Sequence, residues 1–452
     1  AAGVMVPGSH NPKEYNGYKV WWDNGCQIVP PQDAGIAAAI EANLSLWPDP
    51  GAESWSSIVS DPSSDVADAY FDAVDRHVCH HKGKYASAPP VVYTPLHGVG
   101  LPWAAAAFER FGLAPFVPVE AQALPDPDFP TVTFPNPEEG RATWALSFQA
   151  ADACGADIAL ANDPDADRLA AAERTGPPAP GGGDAHWRSF SGNEIGALLA
   201  HWTWSQWRAE NPEADASKVA MLASAVSSKL LRSMAEVEGF HFEETLTGFK
   251  WLGNRAFELE AQGYTVLFAF EEAIGFMFGQ VHKDKDGVAA AAAFAEMAAH
   301  VRATTGRTVA QQLDWIYGKY GCFQEANGYF VASAPECSMA LFADMRAGGG
   351  SYPSKVGPLK VEAVRDLGTG RDDRAPGGKA TLPWTPGDMM VSFALEGGHE
   401  MTLRASGTEP KLKYYIETVS EDKGQAQSLA KELEAAVWEE IVEGREGIAR
   451  RA

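Results

Sequence analysis

Cysteine is scarce in this chain, with only five cysteines among 452 residues. They are scattered, odd in number and include no C-x-x-C pair. Disulfide frameworks and zinc sites need closely spaced cysteines, so the sequence argues against both. The pattern favours a reducing compartment, and we expect a cytoplasmic protein. The cysteines stand at positions 26, 79, 154, 322 and 337.

Long apolar runs and an excess of positive charge are also lacking. No stretch approaches the roughly 18 apolar residues of a membrane helix, and the alanine-rich run at 287–301 carries Glu296. Basic residues number 36 and acidic residues 60, which gives a net charge of −24. A field of that sign repels nucleic acid and anionic lipid, so we expect neither as a partner. Because it also repels phosphorylated metabolites, any phosphate site must be a local cluster of Lys, Arg and backbone N–H groups.

The chain is too long for a single core and is expected to form several domains. Buried strands followed by turns and helices recur along it, as in "VVYT" at 91–94 and "TVLFAF" at 265–270. Ser191 and Glu194 have capping-box spacing at the start of a predicted helix. The last part contains two long strands joined by a Gly-Gly turn, then an amphipathic helix. The predicted domains are residues 1–87, 88–215, 216–326 and 327–452.

An acidic loop, "NDPDADR", follows a predicted strand and carries Asp163, Asp165 and Asp167 at alternate positions. Three crowded carboxylates repel one another, and hard oxygen ligands in a short loop suit Mg²⁺. The EF-hand alternative fails because Arg168 and Arg174 stand where Gly and Glu are needed. A haloacid-type phosphatase is excluded by the residues that follow Asp167. The remaining alternative is a solvated acidic turn.

The segment "RASGTEPK" at 404–411 places two cations, two hydroxyls and a glycine in one turn between strands. The Arg404 guanidinium offers a planar fork for phosphate oxygens, and Gly407 lets backbone N–H groups turn inward as an anion nest. A plain β-turn would explain the glycine but not the whole octet. This segment predicts a phosphate-binding loop.

Near the start of the chain, "GVMV" has the composition of a strand and breaks into "PGSHNP". Ser9 therefore lies on a loop stiffened by two prolines, a common way to display a catalytic side chain and also an ordinary surface turn. His10 and Lys19 are candidate acid–base groups, although each alone is more typical of a surface residue.

Two further segments have the features of a sugar-binding site. Glu271 and Glu272 end the apolar strand in "FAFEEAIGF", where carboxylates can accept hydrogen bonds from vicinal hydroxyls or simply begin a helix. "TLTGFK", with Thr247, Gly248 and Lys250, is a weak signal by itself. Together, the segments supply a serine hydroxyl, a metal-binding loop, a loop that can bind sugar hydroxyls and a phosphate-binding loop. These are the components that phosphoryl transfer onto a sugar phosphate requires.

On these motifs the chain resembles the α-D-phosphohexomutase superfamily. Four signature loops occur in family order: Ser-His-Asn-Pro, Asp-x-Asp-x-Asp-Arg, Glu-Glu and Arg-x-Ser-Gly-Thr. The strings "SHNPKEYNGYKVWWDNG", "ANDPDADRLA", "HFEETLTGFKW" and "RASGTEPKLKYY" are most similar to the phosphopentomutase/phosphoglucomutase-2 branch. The resemblance implies an α/β protein of four domains, three related α/β units and a smaller C-terminal α+β domain with an antiparallel sheet. It also implies that the first domain is truncated at its N-terminus.

The resemblance implies a role for each matching residue. Ser9 would be the phosphoserine and, with the three aspartates, would hold Mg²⁺; His10, Lys19 and Arg168 would assist catalysis. The expected substrate-binding residues are Thr247, Gly248, Lys250, Glu271, Glu272, Lys285, Arg404, Ser406, Gly407, Thr408 and Lys411. The implied partner is a phosphosugar, with a sugar bisphosphate as activator.

Three residues depart from the family pattern. Pro7-Gly8 replaces the usual Thr-Ala before the serine, and Ala273 stands where hexose enzymes have Ser after the glutamate pair. Loss of that hydroxyl favours a pentose or a broad sugar preference. The leading hypothesis is a phosphopentomutase with a phosphoglucomutase side activity. The alternatives are a glucose-1,6-bisphosphate synthase and a catalytically silent sugar-phosphate-binding protein.

Overall fold

The computed structural model divides the chain into two compact units. The first comprises Ala1–Ser227 and Glu238–Leu313, and the second Ser228–Val237 and Asp314–Ala452. The described residues are 2–11, 13–14, 16–46, 48, 58–138, 140–177, 184–350, 352–405 and 410–450, without the side chains of 347–350.

The first unit begins with a two-stranded antiparallel hairpin, in which β1 (Gly3–Met5) pairs with β2 (Lys19–Trp21). The register places Met5 opposite Lys19 and Gly3 opposite Trp21. The loop that carries Ser9 connects these strands. Ser9 therefore lies in the loop that closes this hairpin, between Met5 and Lys19.

A five-stranded sheet with the order β4-β3-β5-β6-β7 forms the next part of the first unit. Its strands are β3 (Val91–Thr94), β4 (Val117–Pro118), β5 (Ile158–Ala161), β6 (Ala170–Arg174) and β7 (Trp187–Ser189). The central pair, β3 and β5, is parallel, and β6 returns antiparallel beside β5. The acidic loop is the connection between β5 and β6, so it lies at the carboxyl end of a buried parallel strand.

A second sheet of the first unit has the order β11-β10-β8-β9. Its strands are β8 (Val219–Ser224), β9 (His241–Thr245), β10 (Thr265–Glu271) and β11 (Gly275–Phe278). The first three are mutually parallel along the sheet, and β11 is antiparallel to β10. The glutamate pair ends β10, so it too lies at a carboxyl strand end, where ligands of open α/β sheets bind.

Several helices pack against the sheet of their own unit, whereas the helix Gln32–Ala42 has no buried residue. In chain order the described helices are α1 (Gln32–Ala42), α2 (Ser63–His77), α3 (Gly100–Phe111), α4 (Arg141–Cys154), α5 (Gly192–Glu210), α6 (Leu230–Glu238), α7 (Phe249–Ala261), α8 (Gly287–Thr305), α9 (Val309–Tyr320), α10 (Pro335–Gly350) and α11 (Lys423–Ala436). Leu252 and Ala256 of α7 pack with Leu222 and Ala269 in one apolar cluster. Each fully buried leucine there contributes about 1.5–3 kcal/mol. Among the described helices, none is long and apolar enough to cross a membrane.

The second unit contains an eight-stranded antiparallel sheet with the path β13-β14-β16-β17-β18-β12-β19 and β15 beside β14. The strands are β12 (Cys322–Ala332), β13 (Lys355–Val356), β14 (Leu359–Asp366), β15 (Arg371–Asp372), β16 (Met390–Leu395), β17 (His399–Ala405), β18 (Lys411–Ser420) and β19 (Ile448–Arg450). Its core joins Phe393 and Leu412 of the sheet to Phe342 of α10 and Leu433 of α11. This is the antiparallel sheet expected for the C-terminal part.

Several predicted elements are confirmed. "VVYT" is β3 and "TVLFAF" lies in β10. Ser191 and Glu194 form a capping box at the start of α5, with both reciprocal hydrogen bonds present. The four predicted domain boundaries are not tested by the division into two compact units, and they stay a prediction.

Candidate active site

The acidic loop is anchored by Asn162, the residue before its first aspartate. The Tyr93 hydroxyl donates to Asn162 Oδ1 at 2.6 Å. Asn162 Nδ2 donates to the carbonyls of Arg168 at 2.5 Å and Gly287 at 3.0 Å. Since Arg168 closes the loop, one buried amide holds both loop ends together. Asn162 was not singled out from the sequence, although its place directly before the aspartates was a signal.

The three aspartates of the loop converge. One carboxylate oxygen from each of Asp163, Asp165 and Asp167 lies within 4.8 Å of the others. Asp163 is fully buried, and its Oδ1 accepts the Arg168 N–H at 3.0 Å. Burial, followed by the neighbouring Asp167 and Asp165, raises the pKa of Asp163 well above its usual value. A cation bound here would offset that repulsion.

The donor set fits a hard divalent cation. Oδ1 of Asp165 and Oδ1 of Asp167 are buried and accept no hydrogen bond from the part of the chain that the structure describes. Buried oxygens normally bind a hydrogen-bond donor or a cation, so two such oxygens in one loop indicate that the loop binds a ligand. Carboxylate oxygens are the ligands that Mg²⁺ prefers. The residues present therefore fit the magnesium site predicted from the sequence.

Ser9 lies against this loop. Its hydroxyl is 3.5 Å from Asp163 Oδ2 and 3.0 Å from His10 Nδ1. The Ser9 backbone has φ 51°, in the left-handed region. The chain makes a tight turn here, in which the Asn11 N–H donates to the Gly8 carbonyl at 3.3 Å. Burial, then the charge of Arg168, lowers the pKa of His10 to about 3. His10 is therefore a neutral imidazole near pH 7, able to accept the hydroxyl proton.

Two lysines from distant parts of the chain meet at the same aspartates. Lys19 Nζ lies 3.0 Å from Asp165 Oδ2 and 2.9 Å from Asp167 Oδ2. Lys285 Nζ lies 3.0 Å from the same Asp167 oxygen. Burial, the largest single effect, acts to lower the pKa of Lys19, but the charges of Asp167 and Asp165 together with the hydrogen bond to Asp167 outweigh it, and the pKa rises. Asp167 has a pKa below its usual value because Lys285 and Lys19 outweigh the effect of its burial. Both ammonium groups are therefore positively charged.

Arg168 completes the cationic side of the site. Its Nε lies 3.8 Å from Asp163 Oδ2 and 3.9 Å from Asp167 Oδ1, and its Nη1 lies 3.7 Å from Glu138 Oε2. These distances are too long for hydrogen bonds, and Arg168 Nε is buried without one within the described residues. Such a donor is suited to an incoming phosphate oxygen.

The glutamate pair at the end of β10 is held from two sides. The Gly248 N–H donates to Glu271 Oε1. Ser224 Oγ and Ser227 Oγ donate to Glu272 Oε2 at 3.2 and 3.3 Å. Burial, then the adjacent Glu272, raises the pKa of Glu271 to about 7. The two serines were missed in the sequence, where their spacing after an apolar strand was the only signal.

Gly248 has φ 106°, which side-chain-bearing residues rarely adopt, and directly precedes α7. Thr247 stands beside it, and Lys250 lies in the first turn of the helix with Nζ 5.4 Å from the centroid of the Trp251 ring. The hydrogen bond from the Gly248 N–H to Glu271 therefore joins this turn to the glutamate pair. Sugar-binding roles for Thr247 and Lys250 stay predictions.

Backbone contacts join the metal loop to the glutamate loop. The Leu169 N–H donates to the Ile274 carbonyl at 3.1 Å, and Arg168 forms a β-bridge with Gly275. The Gly287 N–H donates to the Ala166 carbonyl at 3.1 Å. The serine loop, metal loop and glutamate loop therefore form one continuous site in the first unit.

The predicted phosphate loop belongs to the second unit. Arg404 lies in β17, opposite Lys413 of β18, and Lys411 begins β18 with Nζ 4.8 Å from the centroid of the Tyr329 ring. The predicted residues Ser406, Gly407 and Thr408 lie outside the described residues. The structure places both cations at the hairpin end, and their phosphate-binding role stays a prediction.

A serine hydroxyl, three carboxylates and two ammonium groups therefore meet in the first unit, an arrangement compatible with phosphoryl transfer. Three family models match the chain: phosphoglucomutase/phosphomannomutase α/β/α domain I at residues 1–46, domain II at 68–176 and domain III at 191–320. The chain belongs to this family, within the α-D-phosphohexomutase superfamily. The resemblance and the fold class predicted from the sequence are confirmed.

Relatives of known name support the assignment. The chain is 46% identical over 443 residues to phosphopentomutase from Mus musculus. This alignment covers 96% of this chain and 70% of the relative. It is 41% identical over 447 residues to glucose 1,6-bisphosphate synthase from Homo sapiens, with 96% and 70% covered.

Solved structures share the fold. The Paramecium phosphoglucomutase parafusin superposes with a TM-score of 0.61 at 16% identity, covering 96% of this chain and 77% of that one. Aspergillus fumigatus N-acetylphosphoglucosamine mutase, solved with GlcNAc-6P and magnesium, gives a TM-score of 0.55 at 16% identity, covering 96% and 88%.

Proposed function

We propose that this chain is a phosphopentomutase, an isomerase that interconverts ribose or deoxyribose 1-phosphate and 5-phosphate, with a phosphoglucomutase side activity. One observation carries the chemistry: the Ser9 hydroxyl lies 3.5 Å from Asp163 Oδ2, in a loop that presents three carboxylates. The pentose is supported by the names of relatives at 46% identity and by Ala273 after the glutamate pair.

The reaction consists of two phosphoryl transfers. Phospho-Ser9 first donates to a sugar monophosphate: the bond between phosphorus and Ser9 Oγ breaks, and one to a sugar oxygen forms. The sugar bisphosphate then reorients, and its other phosphoryl group returns to Ser9. Added sugar bisphosphate acts as the activator because it phosphorylates Ser9.

Protons balance in each transfer. When the phosphoryl group returns, neutral His10 accepts the Ser9 proton at Nδ1, 3.0 Å from the hydroxyl. Lys19, held protonated by Asp165 and Asp167, donates a proton to the leaving sugar oxygen. In the donation step neutral His10 accepts the proton of the attacking sugar hydroxyl and protonated Lys19 donates to the departing Ser9 oxygen; between the two transfers the proton returns from His10 to Lys19 through solvent, so that each transfer starts from the same protonation states. Arg168 and Lys285 supply fixed positive charge beside the transferring group.

The expected metal ion is Mg²⁺, held by Asp163, Asp165, Asp167 and the Ser9 phosphate. When bound, it would withdraw charge from the transferring phosphoryl group. We assign the sugar hydroxyls to Glu271, Glu272 and the Thr247–Gly248 turn with Lys250. We assign the distal, non-reacting phosphate to Arg404, Ser406, Gly407, Thr408 and Lys411.

A second candidate function is glucose-1,6-bisphosphate synthesis, in which an acyl phosphate donates the phosphoryl group. The observation that favours it is the 41% identity to the human synthase over 96% of this chain. All the loops described are compatible with both reactions. The phosphoryl donor therefore separates the two candidates.

Phosphorus NMR of one mixture tests the proposal. It contains the protein, Mg²⁺, catalytic sugar bisphosphate and equal ribose 1-phosphate and glucose 1-phosphate. Faster formation of ribose 5-phosphate is expected, and faster formation of glucose 6-phosphate would contradict the pentose preference. Turnover that requires an acyl phosphate would favour the synthase. Intact-mass measurement gives a separate readout, since a silent binding protein would acquire no phosphate on Ser9.

A further inference from the structure

Asp284 connects two parts of the candidate active site without touching the acidic loop itself. It lies in the segment 282–286, "HKDKD", between β11 and α8. Its Oδ2 accepts hydrogen bonds from Trp21 Nε1 and Gln27 Nε2, each at 2.8 Å. The carboxylate is largely buried, with 13% of the side chain exposed. Two donors on one buried oxygen make a specific tether to the serine-bearing hairpin.

The tether acts on the face of β2 that carries Lys19. Lys19 and Trp21 are two residues apart on this strand, so their side chains leave it on the same side. Fixing the Trp21 indole therefore fixes the direction in which Lys19 extends. Lys19 Nζ then reaches Asp165 and Asp167 at 3.0 and 2.9 Å.

The other oxygen of Asp284 acts on Lys285. Oδ1 accepts the Lys285 N–H at 2.8 Å and lies 3.6 Å from Lys285 Nζ. Lys285 Nζ reaches Asp167 at 3.0 Å. A Cβ on Gly275 would lie 2.7 Å from Lys285 Cδ, so the lysine chain also has little room to move.

We propose that Asp284 is a positioning residue for phosphoryl transfer. Its carboxylate holds the Lys19 strand, through Trp21 and Gln27, against the segment that bears Lys285, so that both ammonium groups meet at Asp167. This inference rests on the proposed function, because it assigns the two lysines to the reacting group. Partners that orient the groups of a metal site typically change its activity about 10–100-fold when removed.

A double-mutant cycle tests the Lys19 side. The variant Trp21→Phe/Gln27→Met removes both donors while keeping an aromatic ring at 21 and an unbranched chain at 27, and we expect kcat to fall about tenfold with KM for the sugar phosphate nearly unchanged. In a Lys19→Met background the same pair of substitutions should cost less than twofold, because the tether acts through Lys19. Equal losses in both backgrounds would overturn the inference. Trp22→Phe is the matched control, since Trp22 follows Trp21 and is 40% exposed.

Asp284→Asn tests the Lys285 side. The amide oxygen can still accept from Trp21 and Gln27, but the amide NH₂ then faces the Lys285 N–H and ammonium. We expect a loss of kcat that disappears in a Lys285→Met background. If Asp284→Asn lowered kcat by the same factor in both backgrounds, this half of the inference would be overturned.

Lysine labelling gives a readout that does not need turnover. In the unmodified chain, Lys19 and Lys285 should react slowly with acetic anhydride, as measured by peptide mass spectrometry, because both are ion-paired and largely buried. Severalfold faster labelling of Lys19 in Trp21→Phe/Gln27→Met, and of Lys285 in Asp284→Asn, supports the positioning role. Unchanged labelling overturns it. If the unmodified chain turns over neither sugar, the proposed function fails, and labelling alone decides the positioning.

Discussion

Gly192 packs directly against the backbone of Glu272: a Cβ at position 192 would lie 1.8 Å from the Glu272 carbonyl oxygen. The first residue of α5 thus sets the position of the glutamate loop. Because real Cβ atoms do not approach oxygen so closely, any larger residue at 192 must displace the loop or the helix. Gly192 therefore belongs to the candidate site, although the sequence around it predicts only the start of a helix.

Gly192→Ala should consequently impair both stability and substrate binding. We expect a loss of about 1–3 kcal/mol in the free energy of unfolding, typical of overpacking, and a raised KM for the sugar phosphate. Urea unfolding and steady-state kinetics measure the two effects. Gly35→Ala in the exposed helix α1 is the control, because nothing lies within 4 Å of its added Cβ. Equal behaviour of the two variants would show that the loop tolerates the displacement.

Cation binding to the acidic loop should stabilise the protein. Mg²⁺ relieves the repulsion among three crowded carboxylates, of which Asp163 is fully buried, and a ligand at 100 times its Kd stabilises the folded state by about 2.7 kcal/mol. We expect the unfolding temperature to rise with added Mg²⁺ and to fall again with chelator, as measured by scanning calorimetry. Asp165→Asn should abolish most of the rise.

Asp157→Asn provides the comparison for that experiment. Asp157 directly precedes β5, the strand that leads into the loop, and 59% of its side chain is exposed. The substitution removes the same charge from the opposite end of the strand. If both variants lost the response to Mg²⁺ equally, the effect would come from net charge rather than from coordination.

The sequence predicts the elements and the loops but not the contacts between them. Hydrophobic periodicity, composition and capping-box spacing predict β3, β10 and the start of α5, because each of these elements depends on residues that are close in the sequence. The tether from Trp21 to Asp284 spans 263 residues, and the contact of Ser9 with Asp163 spans 154. A pattern shows which face of a strand is buried, but it does not show which distant side chain will meet that face. Asn162, Ser224 and Asp284 were missed for this reason.

Glu417 should make the second unit less stable as the pH rises. Burial raises the pKa of this carboxyl to about 7, despite the opposing charge of Lys229. A raised pKa in the folded state means that the folded chain binds more protons than the unfolded chain between about pH 4.5 and 7. The contribution to stability is therefore complete below about pH 4.5 and is lost as the pH rises through 7.

The test for Glu417 compares unfolding of the unmodified chain and Glu417→Gln between pH 5 and 8. We expect the glutamine variant to gain relative stability with rising pH, by up to about 3 kcal/mol. Its amide stays neutral and cannot incur the cost of a buried negative charge. Parallel pH profiles for the two proteins would mean that Glu417 does not titrate in this range.

Ala273 offers a direct test of sugar preference. It follows the glutamate pair, in the loop that Gly192 and Ser227 hold in place. In Ala273→Ser an added hydroxyl could bond a hydroxyl that a hexose has and a pentose lacks, worth about 0.5–1.5 kcal/mol. We expect kcat/KM for glucose 1-phosphate relative to ribose 1-phosphate to rise about 2–12-fold. Ala303→Ser, at an exposed position of α8, should leave the ratio unchanged. A ratio that stays constant in Ala273→Ser would place the choice of sugar elsewhere, because the hydroxyl would then make no differential contact in the transition state.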